Sequence, residues 1–347
     1  MVNKVIPVLL HIGLENTGST SLQKYISLNL DKLSEQGIYT FRTLGNTNNF
    51  ELAMTSYDKF RNDDLEASKR ITSMLEKAEY KERLWSSLKR EVESQMPTVR
   101  KIVVSSEHFS SRLENTDEIW TLKSDLESLG LYIETVLIYI RNPFSMINSR
   151  VSTAVKHGAV LTEIGAHGFQ SVLDYVTITN RWFNVFGADT VKIHYLRTDD
   201  SSVKPFSIMG EALSISTEGF ELPGRENSSL SGVATSIVSK VNQLLNTTSS
   251  SAEASAAKLY FLNNMSLLNP LVGAPIAIPS ELRRDICEKY SESLVWFKNN
   301  FEPDLDIEGY LRQDNVSEDF NYKLEIEAMA NLIAKMALDN AASRKTE

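Results

Sequence analysis

Short, almost continuous apolar runs recur along the N-terminal part of the chain. They lie at residues 5–12, 37–41, 100–109, 132–144 and 190–196. Runs of this length without polar alternation are typical of strands that are buried on both faces of a sheet. We therefore predict a central sheet of buried strands, with the intervening segments as its connections.

The segments between the apolar runs carry helical patterns. Apolar residues recur at helical spacing before Gly37, a predicted helix stop: Leu22, Ile26, Leu30 and Leu33. Residues 64–95 are charged, with apolar residues at similar intervals, and are predicted to form one or two surface helices. Pro143 suits the first turn of a helix, so a helix is predicted to begin directly after Arg141.

Strands that alternate with helices imply parallel pairing with right-handed crossovers. The predicted fold is therefore α/β, with a central parallel β-sheet flanked by helices in three layers. Neither an internal repeat nor a shift in composition divides the chain, so we predict one domain over residues 1–337, with helical insertions on the acceptor side, and a frayed tail at 338–347. Sheets of this kind bind ligands at the carboxyl ends of their strands.

Composition narrows the class of protein. Of the 347 residues, 42% are hydrophobic and 23% are charged, which excludes disordered and fibrous proteins. The formal net charge of −9 repels phosphate backbones, so we expect no nucleic-acid partner. The single cysteine, Cys287, can form neither an internal disulfide nor a thiolate metal cluster, which favours a reducing, cytoplasmic location. No apolar run reaches the length of about 18 residues that a membrane span needs, so the chain is not expected to span a membrane.

The segment HIGLENTGSTSLQ at 11–23 places two glycines, Gly13 and Gly18, between a buried strand and a helix. Such a turn directs backbone N–H groups and the positive end of a helix dipole at one point, which suits an anion. Gly13, Gly18 and Thr20 match the spacing of the phosphate loop of nucleotide-binding proteins. Ser19, however, stands where that motif has its lysine. A nucleotide kinase or other P-loop NTPase is therefore a weaker alternative. A further alternative is a plain strand-to-helix turn without a ligand, in which the hydroxyl of Thr17 or Ser19 caps the helix.

From Thr17 to Gln23 the same segment resembles the 5′-phosphosulfate loop of sulfotransferases that use 3′-phosphoadenosine 5′-phosphosulfate (PAPS), particularly bacterial carbohydrate-type members. The resemblance implies a P-loop-like fold, PAPS as the sulfuryl donor and 3′-phosphoadenosine 5′-phosphate (PAP) as the product. It also implies that five residues hold the 5′-phosphosulfate: Thr17, Gly18, Ser19, Thr20 and Ser21. The acceptor implied by this loop type is a saccharide hydroxyl, while a lipid, a phenol or another small alcohol remains open.

Asn16 occupies the position that holds a lysine in the family's loop. In the family, that lysine neutralises charge on the 5′-phosphate and on the bridging oxygen as the sulfuryl group leaves. A neutral amide stabilises this charge less well. Two alternatives follow from the departure: a non-catalytic relative that binds a nucleotide or glycan, and an asparagine introduced to trap a complex.

A second part of the resemblance is IRNPFSMINS, in which Arg141 ends an apolar strand and Ser149 follows on the predicted helix. In the family, an arginine and a serine at this spacing hold the donor's 3′-phosphate. The residue types suit that group, because arginine offers a planar fork of donors and serine a hydroxyl. The later stretch GRENSSLS resembles the family's Arg/Asn/Ser loop, which makes Arg225 a candidate second contact to the same phosphate.

A third part of the resemblance is VVSSEHF at 103–109, with the serine pair and glutamate of bacterial members. A hydroxyl acceptor needs a base that removes its proton, and Glu107, at a strand end beside the donor, is the preferred candidate. His108 is the competing candidate, because imidazole titrates near neutrality. The histidines lack the spacing of a zinc site and the acidic residues that of a calcium loop, so no metal is predicted.

Overall fold

The structure is a computed structural model that describes residues 5–45, 48–95, 98–197, 199–200, 202–224, 230–247, 256–257, 260–261, 273–313, 326–327, 329–331, 333–334 and 336. The predicted tail at 338–347 and the candidate phosphate contact Arg225 lie outside these residues. The chain divides into two compact units. Unit 1 comprises Met1–Asn142 and Asp174–Glu226, and unit 2 comprises Pro143–Leu173 and Asn227–Glu347. The single domain expected from the sequence stays a prediction.

The strands all belong to unit 1: β1 (Ile6–His11), β2 (Ile38–Tyr39), β3 (Lys101–Ser105), β4 (Leu131–Ile140) and β5 (Val191–Tyr195). The α-helices are α1 (Ser19–Leu28), α2 (Leu30–Glu35), α3 (Phe50–Thr55), α4 (Asp64–Ser68), α5 (Met74–Gln95), α6 (His108–Arg112), α7 (Thr116–Ser128), α8 (Pro143–Lys156), α9 (Gln170–Leu173), α10 (Tyr175–Phe186), α11 (Lys204–Leu213), α12 (Gly232–Thr247), α13 (Ser280–Lys289), α14 (Ser291–Asn300) and α15 (Ile307–Arg312). Two 3₁₀ turns, Leu161–Glu163 and Ala166–Phe169, precede α9.

The strands form one parallel sheet in the order β2-β3-β1-β4-β5. In its centre, Leu10 of β1 lies opposite Val104 of β3 and Val136 of β4. Because every strand runs in the same direction, the carboxyl ends of neighbouring strands meet at one edge of the sheet. The sheet and its surrounding helices confirm the predicted three-layer α/β fold.

The central strands of the sheet are buried on both faces. On one face, Leu9, Val103 and Leu137 pack with apolar residues of α1, α2 and α11: Leu22, Tyr25, Ile26, Leu33, Phe206, Met209 and Leu213. The alternating strand residues, which point to the opposite face, are fully buried as well. In addition, α7 packs against β4, and α10 packs against α7 and β5. Burial on both faces explains why these strands appear in the sequence as continuous apolar runs.

One predicted helix is divided in the structure, and one predicted strand end is confirmed. The helix predicted up to Gly37 is divided at Asn29, whose side-chain amide donates to the carbonyls of Tyr25 and Glu221 at 2.8 Å each. The strand in the 100–109 run is predicted to stop at the serine pair, and it does: β3 ends at Ser105 and α6 follows. There the Ser106 hydroxyl accepts the backbone N–H of His108 at 3.2 Å. In both places a short polar side chain competes with regular backbone pairing.

Unit 2 contains helices, and no strand occurs among its described residues. Asn242 of α12 is fully buried, and its amide donates to the carbonyls of Val155 and Ala159 at 2.9 Å each, next to the C-terminal end of α8. Phe144 of α8 stacks on Tyr310 of α15 with ring centroids 3.9 Å apart. These contacts hold α8, α12 and α15 within the unit. In the described part of the chain, no helix is long and apolar enough to cross a membrane.

Candidate functional site

The segment between β1 and α1 is a tight turn at the carboxyl edge of the sheet. It uses three positive φ angles, at Gly13 (100°), Asn16 (62°) and Gly18 (91°). The backbone N–H of Leu14 donates to the carbonyl of Tyr139 in β4 at 3.0 Å, which fastens the turn to the sheet. The predicted order of strand, glycine turn and helix is therefore present.

The hydroxyl groups of Thr17 and Ser19 stabilise this turn from inside. Both residues are buried, and both hydroxyls donate to the carbonyl of Leu14, at 2.6 and 3.2 Å. Thr20 is exposed and Ser21 is half-buried in the first turn of α1. The first N–H groups of a helix have no acceptor within the helix, and they carry the positive end of its dipole. The start of α1 is thus suited to binding an anion.

Arg141, at the end of β4, lies beside the same turn. Its guanidinium Nη1 donates to the carbonyl of Asn16 at 3.1 Å, and the hydroxyl of buried Tyr175 donates to the Arg141 carbonyl at 3.1 Å. Burial lowers the pKa of the Arg141 guanidinium, but an arginine stays protonated inside proteins. Among the described residues, no carboxylate forms an ion pair with Arg141. The turn therefore lies against a half-buried positive charge that has no carboxylate partner in the described part of the chain.

Asn16 stands at the position where the sulfotransferase loop that this segment resembles has a lysine. Its left-handed backbone, with φ of 62°, is a conformation that asparagine tolerates better than most side chains. The Asn16 carbonyl faces the Arg141 guanidinium. The Arg141 guanidinium thus lies within hydrogen-bond distance of Asn16, whose own side chain carries no charge.

The Glu107 side chain lies against the turn. Its Oε2 accepts a hydrogen bond from Gln23 Nε2 at 2.8 Å, and its Oε1 accepts one from Asn48 Nδ2 at 3.2 Å. A methyl group on Gly13 would lie only 3.0 Å from the Glu107 Cα and 3.1 Å from its Cβ. Glycine at position 13 therefore allows this close approach. Its role as the base stays a prediction.

His108 has a different environment. Its ring packs edge-on against Phe50 with centroids 6.1 Å apart, and its Nδ1 is buried without a hydrogen-bond partner among the described residues. Glu107, by contrast, is tied to α1 through Gln23. The two candidates thus differ in their contacts, and the choice of Glu107 over His108 as the base stays a prediction.

His11, at the end of β1, holds two strands together. It is fully buried, and its Nδ1 is hydrogen-bonded to the hydroxyl of Ser105 in β3 at 2.8 Å. Burial lowers the pKa of His11 to about 3, so the ring is neutral at physiological pH. Its place in the structure is between strands rather than in the candidate site.

The sequence analysis missed two residues that hold the site together. Asn48 contacts Glu107, and the buried Asn49 next to it pairs with Ser105: the Asn49 N–H donates to the Ser105 carbonyl, and the Asn49 Oδ1 accepts the Ser105 N–H, both at 2.9 Å. Gln23 was part of the motif but had no assigned role. Two consecutive asparagines before a helix are a turn signal in sequence, and nothing local links them to Glu107.

Two further residues are predicted from the sequence to contact the phosphate. Ser149 lies half-buried on α8 in unit 2, whereas the turn belongs to unit 1. Arg225 lies outside the described residues. Their assignment to the 3′-phosphate stays a prediction.

Replacing Gly13 by alanine should destabilise the protein more than the same change at Gly45. Both glycines have positive φ, of 100° and 79°, where a side chain costs about 1–2 kcal/mol. A methyl group at Gly45 meets no atom within 4 Å, whereas one at Gly13 lies 3.0 Å from the Glu107 Cα. Overpacking of that kind adds about 1–3 kcal/mol. Urea unfolding measures both variants, and equal losses would contradict the close contact.

Comparisons of the chain with protein-family models, with curated proteins and with solved structures found no match. Within the described residues, no group of three or more His, Cys, Asp or Glu side chains could hold a metal ion. A functional assignment for this chain therefore depends on the sequence motifs and on the local geometry of the turn, Arg141 and Glu107.

Proposed function

We propose that the protein is a sulfotransferase, which moves a sulfuryl group from PAPS to a hydroxyl group of a saccharide. The observation that carries the proposal is the half-buried Arg141 guanidinium, which has no carboxylate partner among the described residues and lies 3.1 Å from a phosphate-loop-type turn. The Cα and Cβ of Glu107, the proposed base, lie against Gly13 of the same turn, and its carboxylate is hydrogen-bonded to Gln23 of α1. An anion site and a base thus adjoin one another.

The residue types fit a donor that carries phosphate at both its 5′ and 3′ positions. The start of α1, from Thr17 to Ser21, would hold the 5′-phosphosulfate through backbone N–H groups. Arg141 would hold the 3′-phosphate through its planar fork of donors. Ser149 and Arg225 are proposed as further contacts to that phosphate, on the resemblance alone.

In the proposed reaction, Glu107 takes the proton from the acceptor hydroxyl as the acceptor oxygen forms its bond to sulfur. The bond from sulfur to the 5′-phosphate oxygen breaks, and that oxygen keeps the electron pair as PAP is released. The N–H groups at the start of α1 stabilise the charge that grows there. The protein's contribution is mainly positioning and charge stabilisation, as in phosphoryl transfer.

Two alternatives make different demands on the same residues. A P-loop kinase needs a lysine at position 19, but Ser19 is a buried hydroxyl that donates to the Leu14 carbonyl at 3.2 Å. A non-catalytic nucleotide- or glycan-binding protein is favoured by Asn16, because a neutral side chain there suffices for binding. Transfer assays therefore separate this second alternative from the enzyme.

We expect the protein to bind PAP more tightly than ADP, because ADP lacks the 3′-phosphate that Arg141 is proposed to hold. Arg141→Ala should weaken PAP binding by about 1.5–3 kcal/mol, which is about 10- to 150-fold, and leave ADP binding less affected. Isothermal titration calorimetry of both nucleotides with both proteins measures this preference.

Arg197→Ala is the matched control, since Arg197 is an exposed arginine in the same unit that pairs with Asp199. It removes one positive charge that is paired with a carboxylate. Arg141→Gln adds a second test, because glutamine keeps a polar amide at this position while carrying no charge. Equal affinity for PAP and ADP, or a preference that survives in Arg141→Ala, would overturn the sulfotransferase proposal.

A further inference from the structure

Both oxygens of the Glu107 carboxylate accept a hydrogen bond from a side-chain amide. Gln23 Nε2 donates to Oε2 at 2.8 Å, and Asn48 Nδ2 donates to Oε1 at 3.2 Å. Hydrogen bonds to the ionised form of a carboxyl group stabilise that form. The two amides come from different parts of the chain, so they fix the carboxylate from two directions.

We propose that Gln23 and Asn48 are positioning residues, which hold the Glu107 carboxylate in a fixed orientation beside the anion-binding turn. The proposal rests on the proposed function, in which Glu107 is the base. It goes further by assigning the orientation of that base to two neutral amides. Neither residue needs to touch the donor or the acceptor for this role.

Gln23 connects the base to the turn. It is only 6% exposed, and a buried amide requires a partner, which here is the Glu107 carboxylate. Gln23 lies on α1, the helix whose first residues form the proposed phosphate site. The carboxylate and the anion site are therefore held by one rigid helix, and their separation does not depend on a flexible loop.

Asn48 is held in place by its neighbour. The Asn49 backbone and side chain both pair with the backbone of Ser105, at 2.9 Å each, so the segment before α3 is fastened to the end of β3. Glu107 follows that same strand end two residues later. Asn48 and Glu107 are thus anchored to a common point of the sheet.

The partners of the Glu107 carboxylate carry no charge. Several titratable or charged side chains belong to the elements around it: Glu15, Lys24, Glu51, His108, Arg112 and Arg181. None of them forms an ion pair with Glu107 among the described residues, and Glu51 and Arg112 pair instead with Lys69 and Asp64. A cation in contact would oppose proton uptake strongly, whereas two amides stabilise the carboxylate and leave it able to act as a base.

The test is a pH titration of Glu107 that does not require activity. The protein is labelled with ¹³C at the glutamate carboxyl carbon, and the Glu107→Gln variant identifies the Glu107 signal. In Gln23→Met, which keeps the length of the side chain but removes the amide, the Glu107 titration midpoint should move to higher pH by about one unit. The acid limb of the plot of transfer rate against pH should move to higher pH by the same amount. At a fixed pH on that limb, the transfer rate should therefore be about tenfold lower.

Ser110→Ala is the matched control. The Ser110 hydroxyl is buried and donates to the main-chain carbonyl of Glu107 at 2.9 Å, so its loss removes a hydrogen bond to the same residue without touching the carboxylate. We expect no shift in its titration. Asn48→Ala provides a second variant in a half-buried segment, and a smaller shift in the same direction is expected from its longer hydrogen bond.

An unchanged Glu107 midpoint in both Gln23→Met and Asn48→Ala would overturn the inference, even if all proteins transfer sulfate. A shifted midpoint in a protein that neither transfers nor prefers PAP to ADP would leave the hydrogen-bond assignment standing and overturn the proposed function. An equal shift in Ser110→Ala would show that any local disturbance moves the titration, and it would also overturn the inference.

Discussion

Glu107→Gln should lower sulfuryl transfer by about 10²–10⁴-fold, the usual contribution of a positioned general base. The amide keeps the shape of the side chain, and its oxygen can still accept one of the two amide hydrogen bonds from Gln23 or Asn48. It cannot take a proton. PAP affinity should change little, because Glu107 does not contact the proposed phosphate ligands. Single-turnover transfer from labelled PAPS and calorimetry with PAP measure the two quantities separately.

His108→Ala is the control for this experiment. Its ring packs against Phe50, so its loss removes an aromatic contact next to Glu107 without removing the carboxylate. We expect near-normal transfer by His108→Ala. Near-normal turnover by Glu107→Gln together with an inactive His108→Ala would exchange the two roles.

Asn16→Lys should raise the rate of transfer by about 10²–10³-fold, the effect of one electrostatic contact to charge that develops in a transition state. Charge on the bridging oxygen grows only as its bond to sulfur breaks, so a lysine there acts mostly on the transition state. Turnover should therefore rise more than donor affinity. Single-turnover transfer at saturating PAPS, measured on a panel of saccharide and small-molecule acceptors, tests this result.

The backbone at Asn16 imposes a cost on this change. Its φ is 62°, a left-handed conformation that lysine tolerates less well, so a loss of stability of about 1 kcal/mol is expected. Asn62→Lys is the matched control, because Asn62 also has a positive φ, of 55°, and lies outside the turn. It adds the same charge at a comparable backbone position. Rates are compared after correction for the folded fraction.

An Asn16→Lys protein no faster than the present sequence would contradict the prediction and imply that another group already supplies the charge. Arg141 is then the candidate, because its Nη1 donates to the Asn16 carbonyl at 3.1 Å. Lys24 is nearer in sequence but is exposed on α1. If neither protein transfers to any acceptor while both bind PAP, the non-catalytic alternative is favoured.

Local patterns in the sequence were sufficient to predict the strands and their approximate ends. The apolar runs correspond to β1–β5, Pro143 begins α8, and Gly37 has the positive φ of a helix stop, 73°. These features act over a few residues, because periodicity and backbone preference are properties of a short segment. The division of the first helix was not predictable in this way, since Asn29 also bonds to the distant Glu221.

The candidate site was predictable as a set of residue types at strand ends. The motif from Thr17 to Ser21 follows β1, Glu107 follows β3 and Arg141 follows β4, and a parallel sheet brings such ends to one edge. Neither the absence of a carboxylate partner for Arg141 among the described residues nor the paired amides on Glu107 could be foreseen. Those properties belong to contacts between segments.

Residue chemistry and local element type thus follow from the amino-acid order, because side-chain identity and hydrophobic period are local. The contacts that complete the candidate site depend on the strand order β2-β3-β1-β4-β5 and on its register. Asn48 reaches Glu107 across 59 positions, and Arg141 reaches Asn16 across 125. Such pairs meet because the burial of the whole apolar core fixes where each strand lies. The free energy of that burial is distributed over many residues, so no short motif in the sequence reveals it.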